Sequence, residues 1–461
     1  MRQEKDSLGI LEVPEAAYYG VQTARAIANF PISGLHAHPI FIRATAMVKW
    51  AAAEANIGCR KLPRDIGEVI QKAAQEVIAG QWNDQFVVDV FQAGAGTSHN
   101  MNSNEVIANR AIEMLGGKRG DYRQVHPNDH VNMSQSTNDV FPTAMRLAAL
   151  LMLKPLTDAV DGLQKALFQK AKAFNGIIKS GRTHLQDAVP IRLGQEFSGY
   201  AEAVARCRKR IGMASEGLRE LGIGGSAVGT GINTHPQYKK KMVAALKKIS
   251  GINLVHSDNL FERMQSMADF LECSGSLREL AVELIRIAND LRLLSSGPRT
   301  GLGEIVLPPV QPGSSIMPGK VNPVMAEVTN MVCFHVIGND QTIMLATQAG
   351  QMELNVMMPV ISFNLLQSVE ILTHTLRLLT DRCIKGITAD RKRCLSYAET
   401  SVGLATILNP KIGYEAAASV AKESATTGKS IRAMVLEKGL LNSKEVKKIL
   451  DPTVMTEPSS D

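Results

Sequence analysis

A chain of 461 residues with 51 basic and 44 acidic side chains, net +7, is long enough to bury a large core spread over two or three domains. Aromatics make up 5 % and the basic residues are scattered apart from Lys239–Lys241, so the concentrated basic and aromatic face that nucleic acid binding needs is missing. A modest positive charge fits an anionic small molecule better.

Cys59, Cys207, Cys273, Cys333, Cys383 and Cys394 show no metal-ligand or CxxC spacing and lie mostly in apolar runs. They read as buried free thiols in a reducing compartment. The first residues, MRQEKDSLGILEVPE, have no signal-like apolar core, and no run approaches eighteen apolar residues. A cytoplasmic protein with no membrane partner is expected.

Residues 1–135 mix turns with short helical segments, the helical periodicity being plain over Ala44–Asn56 and Ile66–Ala79. The stretch Ala93–Glu105, AGAGTSHNMNSNE, is crowded with hydroxyls and amides; a helix is predicted to start near Asn104 and to stop before Gly116–Gly117. From 136 to 390 the chain is seamed. Leu153, Leu156, Val160, Leu163 and Leu167 alternate steps of three and four, with Pro155 expected to bend the first turn. Leu193 to Leu221, Leu277 to Leu294 and Leu365 to Cys383 repeat the pattern. Such narrow apolar seams suit long helices packed nearly parallel or antiparallel. With an apolar run over Val324–Leu345, read as a buried helix, they predict a five-helix bundle. Residues 391–461 read as a small helical domain. Its segments 416–424 and 430–438 could pass for a DNA-binding helix pair, but such pairs occur in many folds.

Between the helices lie Ser134–Asn138 (SQSTN), Gly181–His184 (GRTH), Gly222–Gly231 and the loop Gln311–Glu327, QPGSSIMPGKVNPVMAE. The last is not a P-loop: five residues separate Gly313 from Gly319, and Val321 follows Lys320 where Mg²⁺ binding needs Ser or Thr. Gly222–Gly231 lacks the GxGxxG order and a βαβ context, which argues against a dinucleotide site. The four polar stretches 94–104, 134–138, 181–184 and 311–327 are each expected at a helix end, where free N–H groups bind anions or Ser, Thr and Asn simply cap.

GSSIMPGKVNP (Gly313–Pro323) resembles, residue for residue, the signature loop of the fumarase/aspartase superfamily. AGAGTSHNMNSNE, HPNDHVNMSQSTND and GRTHLQDAVP follow in the family's order and spacing, so the resemblance covers nearly the whole chain. It implies a mainly all-α, three-domain fold (1–135, 136–390, 391–461) around a long five-helix bundle. It also implies a homotetramer whose active sites each draw on three subunits. The implied chemistry is elimination of an amine or water beside a carboxylate, giving fumarate through an aci-carboxylate intermediate. On that resemblance Ser314 is the base that takes the Cβ proton, while Ser315, Lys320 and Asn322 hold the carboxylate that gains charge. Thr183 and His184 touch the substrate from a second subunit, with Glu327 orienting the histidine. Thr97, Ser136, Thr137 and Asn138 take the other carboxylate and the leaving group. No cofactor is required and no metal site is legible; activation by a divalent ion such as Mg²⁺, seen in some aspartases, stays open.

Within the family, AYYGVQTARA (Ala17–Ala26), GAGTS (Gly94–Ser98) and Thr137 are similar to aspartases, which act on L-aspartate. HPND (His126–Asp129), NDVFPTAM (Asn138–Met145) and NTHP (Asn233–Pro236) lean towards class II fumarases, the alternative. Met358 stands where aspartases have Glu and fumarases Arg, and EPSSD (457–461) lacks the basic tail of many aspartases. A non-catalytic structural member of the fold is the remoter alternative.

Overall fold

Helix dominates, as the seams imply. In chain order the elements are β1 (Arg2–Asp6), β2 (Gly9–Val13), α1 (Val21–Asn29), α2 (Pro39–Gly58), α3 (Arg64–Ile78), α4 (Thr97–Met114), α5 (Thr137–Ala173), β3 (Ile178–Thr183), β4 (Gln186–Arg192) and α6 (Leu193–Ala214). Then come β5 (Glu220–Leu221), α7 (Tyr238–Ser250), β6 (Val255–His256), α8 (Leu260–Gln265), α9 (Ala268–Leu294), β7 (Ile305–Val306), α10 (Val324–Gln348), α11 (Met358–Arg382) and β8 (Thr388–Ala389). Five short helices close the chain: α12 (Arg391–Thr400), α13 (Asn409–Ile412), α14 (Tyr414–Thr427), α15 (Ile431–Glu437) and α16 (Ser443–Ile449). This is a computed structural model that describes residues 1–458; residues 459–461, the end of the EPSSD stretch, lie outside the described residues. The strands pair only two by two.

The chain divides into two compact units, one of residues 1–157, 209–281 and 334–373, the other of residues 158–208, 282–333 and 374–461. The long helices α5, α6, α9, α10 and α11 each give residues to both. Every residue of the four seams is buried, although Leu218 and Leu221 fall just beyond α6 in a short 3₁₀ turn and β5.

In the first unit α2 packs on α3 and α7. Pro39 opens α2 with its fixed φ, and the His38 side chain accepts from Ile40 N–H, so the first turn is capped without an acidic residue. Arg146 on α5 is buried and donates to Asp269 of α9 at 2.7 Å and to the Gly217 carbonyl at 2.8 Å. In the second unit the hairpin β3–β4 lies against α12 and the 3₁₀ turn 402–408. The small terminal helices share their own core, centred on Leu408, Val420, Ile431, Val435 and Leu450.

Several expectations are corrected. The helix α5 starts sixteen residues before Leu153, at Thr137, so Pro155 sits inside it rather than in its first turn. Its most apolar eighteen-residue window has the length and composition of a membrane span, but 78 % of that window is buried inside the protein, as in a core helix. The helix expected near Asn104 begins at Thr97, because Asn100, Asn102, Ser103 and Asn104 are buried and bond mostly with side chains or carbonyls rather than unwinding the helix. The run read as a buried helix, α10, is buried on one side only. Ala326, Cys333, Val336 and Ile343 face protein, whereas Met331 is 66 % and Phe334 60 % exposed. Apolar composition all round a helix does not say which face its own chain covers.

Candidate active site

The predicted site residues fall into two sets, one in each unit. In the first unit Thr97 opens α4, and Ser136, Thr137 and Asn138 surround the start of α5. Gly96 has φ +89°, and a Cβ there would overlap the Phe141 ring, so only glycine lets α4 begin this close to α5. The Thr97 hydroxyl donates to the Gly94 carbonyl at 2.7 Å. Ser136 Oγ accepts from Asn138 N–H, and Ser136 N–H donates to Asp139 Oδ1. Asn138 Nδ2 donates to the Ala227 carbonyl at 2.8 Å.

Two residues that sequence reasoning missed organise this corner. Asp139 is fully buried and also accepts from Gly224 N–H and Ser226 N–H, both at 3.0 Å, which explains the glycine-rich stretch 222–231 as a backbone cradle around one carboxylate. Burial pushes the Asp139 carboxyl up to about 6, with these donors and Lys49 pulling the other way. Lys49, on α2, is likewise fully buried and donates to Asn100, Asn132 and Gln135. Its signal in the sequence was faint: one lysine within the short apolar and alanine-rich run Ala46–Ala53.

In the second unit Ser314, Ser315, Lys320 and Asn322 share one loop, and Glu327 lies in the first turn of α10. The loop closes on itself. Gly313 N–H donates to the Lys320 carbonyl at 2.8 Å, and Asn322 Nδ2 donates to the Gly313 carbonyl at 2.7 Å. A Cβ on Gly313 would overlap that lysine carbonyl. Inside the closed loop Ser314 Oγ accepts from Met317 N–H at 2.9 Å and Ile316 N–H at 3.2 Å. Two backbone donors on one hydroxyl oxygen favour negative charge there.

Thr183 and His184 were expected at a helix end; they lie instead at the tip of the β3–β4 hairpin. The two turn residues, His184 (φ +56°) and Leu185 (φ +59°), are both left-handed, the geometry of a two-residue hairpin that usually takes Asn-Gly. The tip is exposed, but its root is not: Arg182 donates to the fully buried Glu304 at 2.9 and 3.1 Å, and Lys179 bridges Glu304 and Glu196. Among the described residues no hydrogen bond ties this tip to the 311–323 loop, and no group of three or more His, Cys, Asp or Glu is placed to hold a metal ion.

Comparison with known proteins matches this arrangement over its length. Residues 9–338 fit the Lyase family model and residues 404–457 the model for the fumarase C C-terminus. The aspartate ammonia-lyase of Bacillus subtilis (strain 168) is 52 % identical, covering 99 % of this chain and 96 % of its own. That of Escherichia coli (strain K12) is 47 % identical, covering 100 % and 97 %. A crystal structure of fumarate lyase:delta crystallin from Brucella melitensis bound to cobalt superposes with a TM-score of 0.96 at 49 % identity, covering 99 % of this chain and 100 % of the other. Recombinant class II fumarase from Schistosoma mansoni does so with 0.97 at 36 % identity and complete coverage of both. With the signature loop, the paired polar helix starts and full-length relatives all in agreement, the chain belongs to the fumarase/aspartase superfamily of lyases.

Proposed function

We propose that the protein is an aspartate ammonia-lyase, a carbon–nitrogen lyase that converts L-aspartate reversibly to fumarate and ammonia. The observation that carries the chemistry is Ser314, whose hydroxyl oxygen accepts two backbone N–H groups. A serine is a poor base unless its alkoxide is stabilised, and those donors supply that stabilisation. The choice of aspartate rests on full-length relatives at 47–52 % identity bearing that name.

In this reading Ser314 Oγ takes the Cβ proton. The electron pair left behind flows into the adjacent carboxylate, which becomes a doubly charged aci-carboxylate held by Ser315, Lys320 and Asn322. Collapse of that intermediate forms the C=C bond and expels the amine. Thr97, Ser136, Thr137 and Asn138 hold the far carboxylate and the departing nitrogen; Thr183 and His184, the latter oriented by Glu327, complete the enclosure. Since base, donors and cation are all groups of this chain, turnover needs no cofactor, and a divalent ion such as Mg²⁺ acts at most as an activator. The apolar face of α10, with Met331 and Phe334 exposed, supports a homotetramer whose subunits share their active sites. A cytoplasmic setting fits six buried free cysteines.

Class II fumarase is the second reading, favoured by HPND, NDVFPTAM and NTHP; the fully buried Met358 departs from both patterns and favours neither. Separate incubation with L-aspartate and L-malate, following fumarate by its conjugated absorbance, decides between them. Fumarate from aspartate alone is expected; fumarate from malate alone rejects the proposal.

A further inference from the structure

We infer that Lys49 and Asn100 are positioning residues that set the direction in which Thr137 presents its hydroxyl proton. The inference rests on the reading that Thr137 contacts the substrate. The Lys49 ammonium donates to Asn100 Oδ1 at 2.7 Å, Asn132 Oδ1 at 3.0 Å and Gln135 Oε1 at 3.0 Å. An ammonium has donors and no acceptor, so each of these amides must turn its oxygen inward. For Asn100 this removes the usual twofold choice of amide orientation and points Nδ2 away from the lysine.

That Nδ2 donates to Thr137 Oγ1 at 3.2 Å and to Asn132 Oδ1 at 3.2 Å. A threonine hydroxyl has a single proton. With its oxygen engaged as acceptor by Asn100, the proton is left for a different acceptor, and a substrate carboxylate is the partner the site provides. A flipped amide would reverse this: its oxygen would claim the Thr137 proton and present a bare lone pair to an anion.

The lysine carries a second consequence. Its hydrogen-bond partners are three neutral amides, and among the described residues no carboxylate in hydrogen-bond contact cancels its charge. Burial pulls the ammonium down to about 7, and the Asp139 carboxylate acts on it only through space. A methionine would fill the same space without that desolvation but would leave three buried amide oxygens without their donor, so the cation's role is tied to the orientation of those amides.

The test is Asn100→Asp, compared with Thr137→Ala and the double variant in the assembled enzyme. The carboxylate so created keeps the partner of Lys49 but cannot donate to Thr137. A folded enzyme is expected, with KM for L-aspartate raised at least about tenfold, the loss of one hydrogen bond to a charged group. Adding Thr137→Ala is expected to lower kcat/KM no further than Thr137→Ala alone, because both act on one contact. Lys49→Met is expected to raise KM in the same way. An unchanged KM in Asn100→Asp, or an additive fall in the double variant, overturns the inference. So does failure of Asn100→Asp to fold, since Asn100 would then serve the fold. If Thr137→Ala itself leaves KM unchanged, the reading of the site fails first and takes the inference with it.

Discussion

The two sets of site residues are built by opposite means. The start of α5 is held from below: Thr137 is only 9 % exposed, and behind it stand a buried lysine from α2, the buried Asp139 and a ladder of amides drawn from α4 and the turn before α5. The 311–323 loop is held by its own backbone. Its bonds span nine residues or fewer, and Ile316 beside Ser314 is 83 % exposed. Thr137 is thus placed by long-range, buried contacts. Ser314, the base on the proposed reading, sits in a self-contained turn whose hydrogen bonds are all local.

That contrast can be broken at several points. The largest effect is expected from Ser314→Ala, which should lower kcat about a thousandfold or more, the scale of losing a general base. Because the loop is local and exposed, its thermal midpoint should match the wild type; a coincident loss of stability would show that the loop is not self-contained. The hairpin is the intermediate case, an exposed tip on a buried root. Arg182→Met leaves the fully buried Glu304 without its closest partner, and losing one member of such a pair costs about 3–5 kcal/mol. Calorimetry should register that loss together with a weaker KM; an unchanged melting point would mean Lys179 alone satisfies the carboxylate.

The effect smallest at neutral pH, where it vanishes, tests the buried corner through acid. His99 lies on α4 with its Nε2 3.0 Å from Thr45 Oγ1, and burial, aided by Lys49, drags its proton affinity from the ordinary 6.5 down to about 3. The unfolded chain therefore takes up a proton before the folded one does. The contribution of this histidine to stability is complete above about pH 6.5 and is lost as pH falls towards 3, at no more than about 1.4 kcal/mol per pH unit. His99→Phe should flatten the dependence of stability on pH below 6.5. An identical slope in both proteins would place the acid sensitivity elsewhere.

Much of this was legible beforehand. The seams Leu153–Leu167, Leu277–Leu294 and Leu365–Cys383 announced long helices because burial imposes a period that residue types must follow. The loop at 311 announced itself because three prolines and two glycines exclude regular structure. What escaped notice depends on partners far apart in the chain. Lys49 meets Asn132 and Gln135 across more than eighty positions, and Asp139 meets Gly224 across eighty-five. No local pattern encodes such pairings. GRTHLQDAVP misled for another reason: its turn uses His-Leu where hairpins ordinarily advertise themselves with Asn-Gly, so the strands on either side were not heard.

That turn has a practical corollary. Left-handed backbone at two successive residues with full side chains stores roughly 1–3 kcal/mol apiece. A screen that selects heat-resistant variants will therefore reward glycine or asparagine at 184 and 185. At Leu185 the gain comes free of chemistry, but at His184 it is bought with the imidazole itself. Anyone engineering a hardier enzyme should shield that one position from selection.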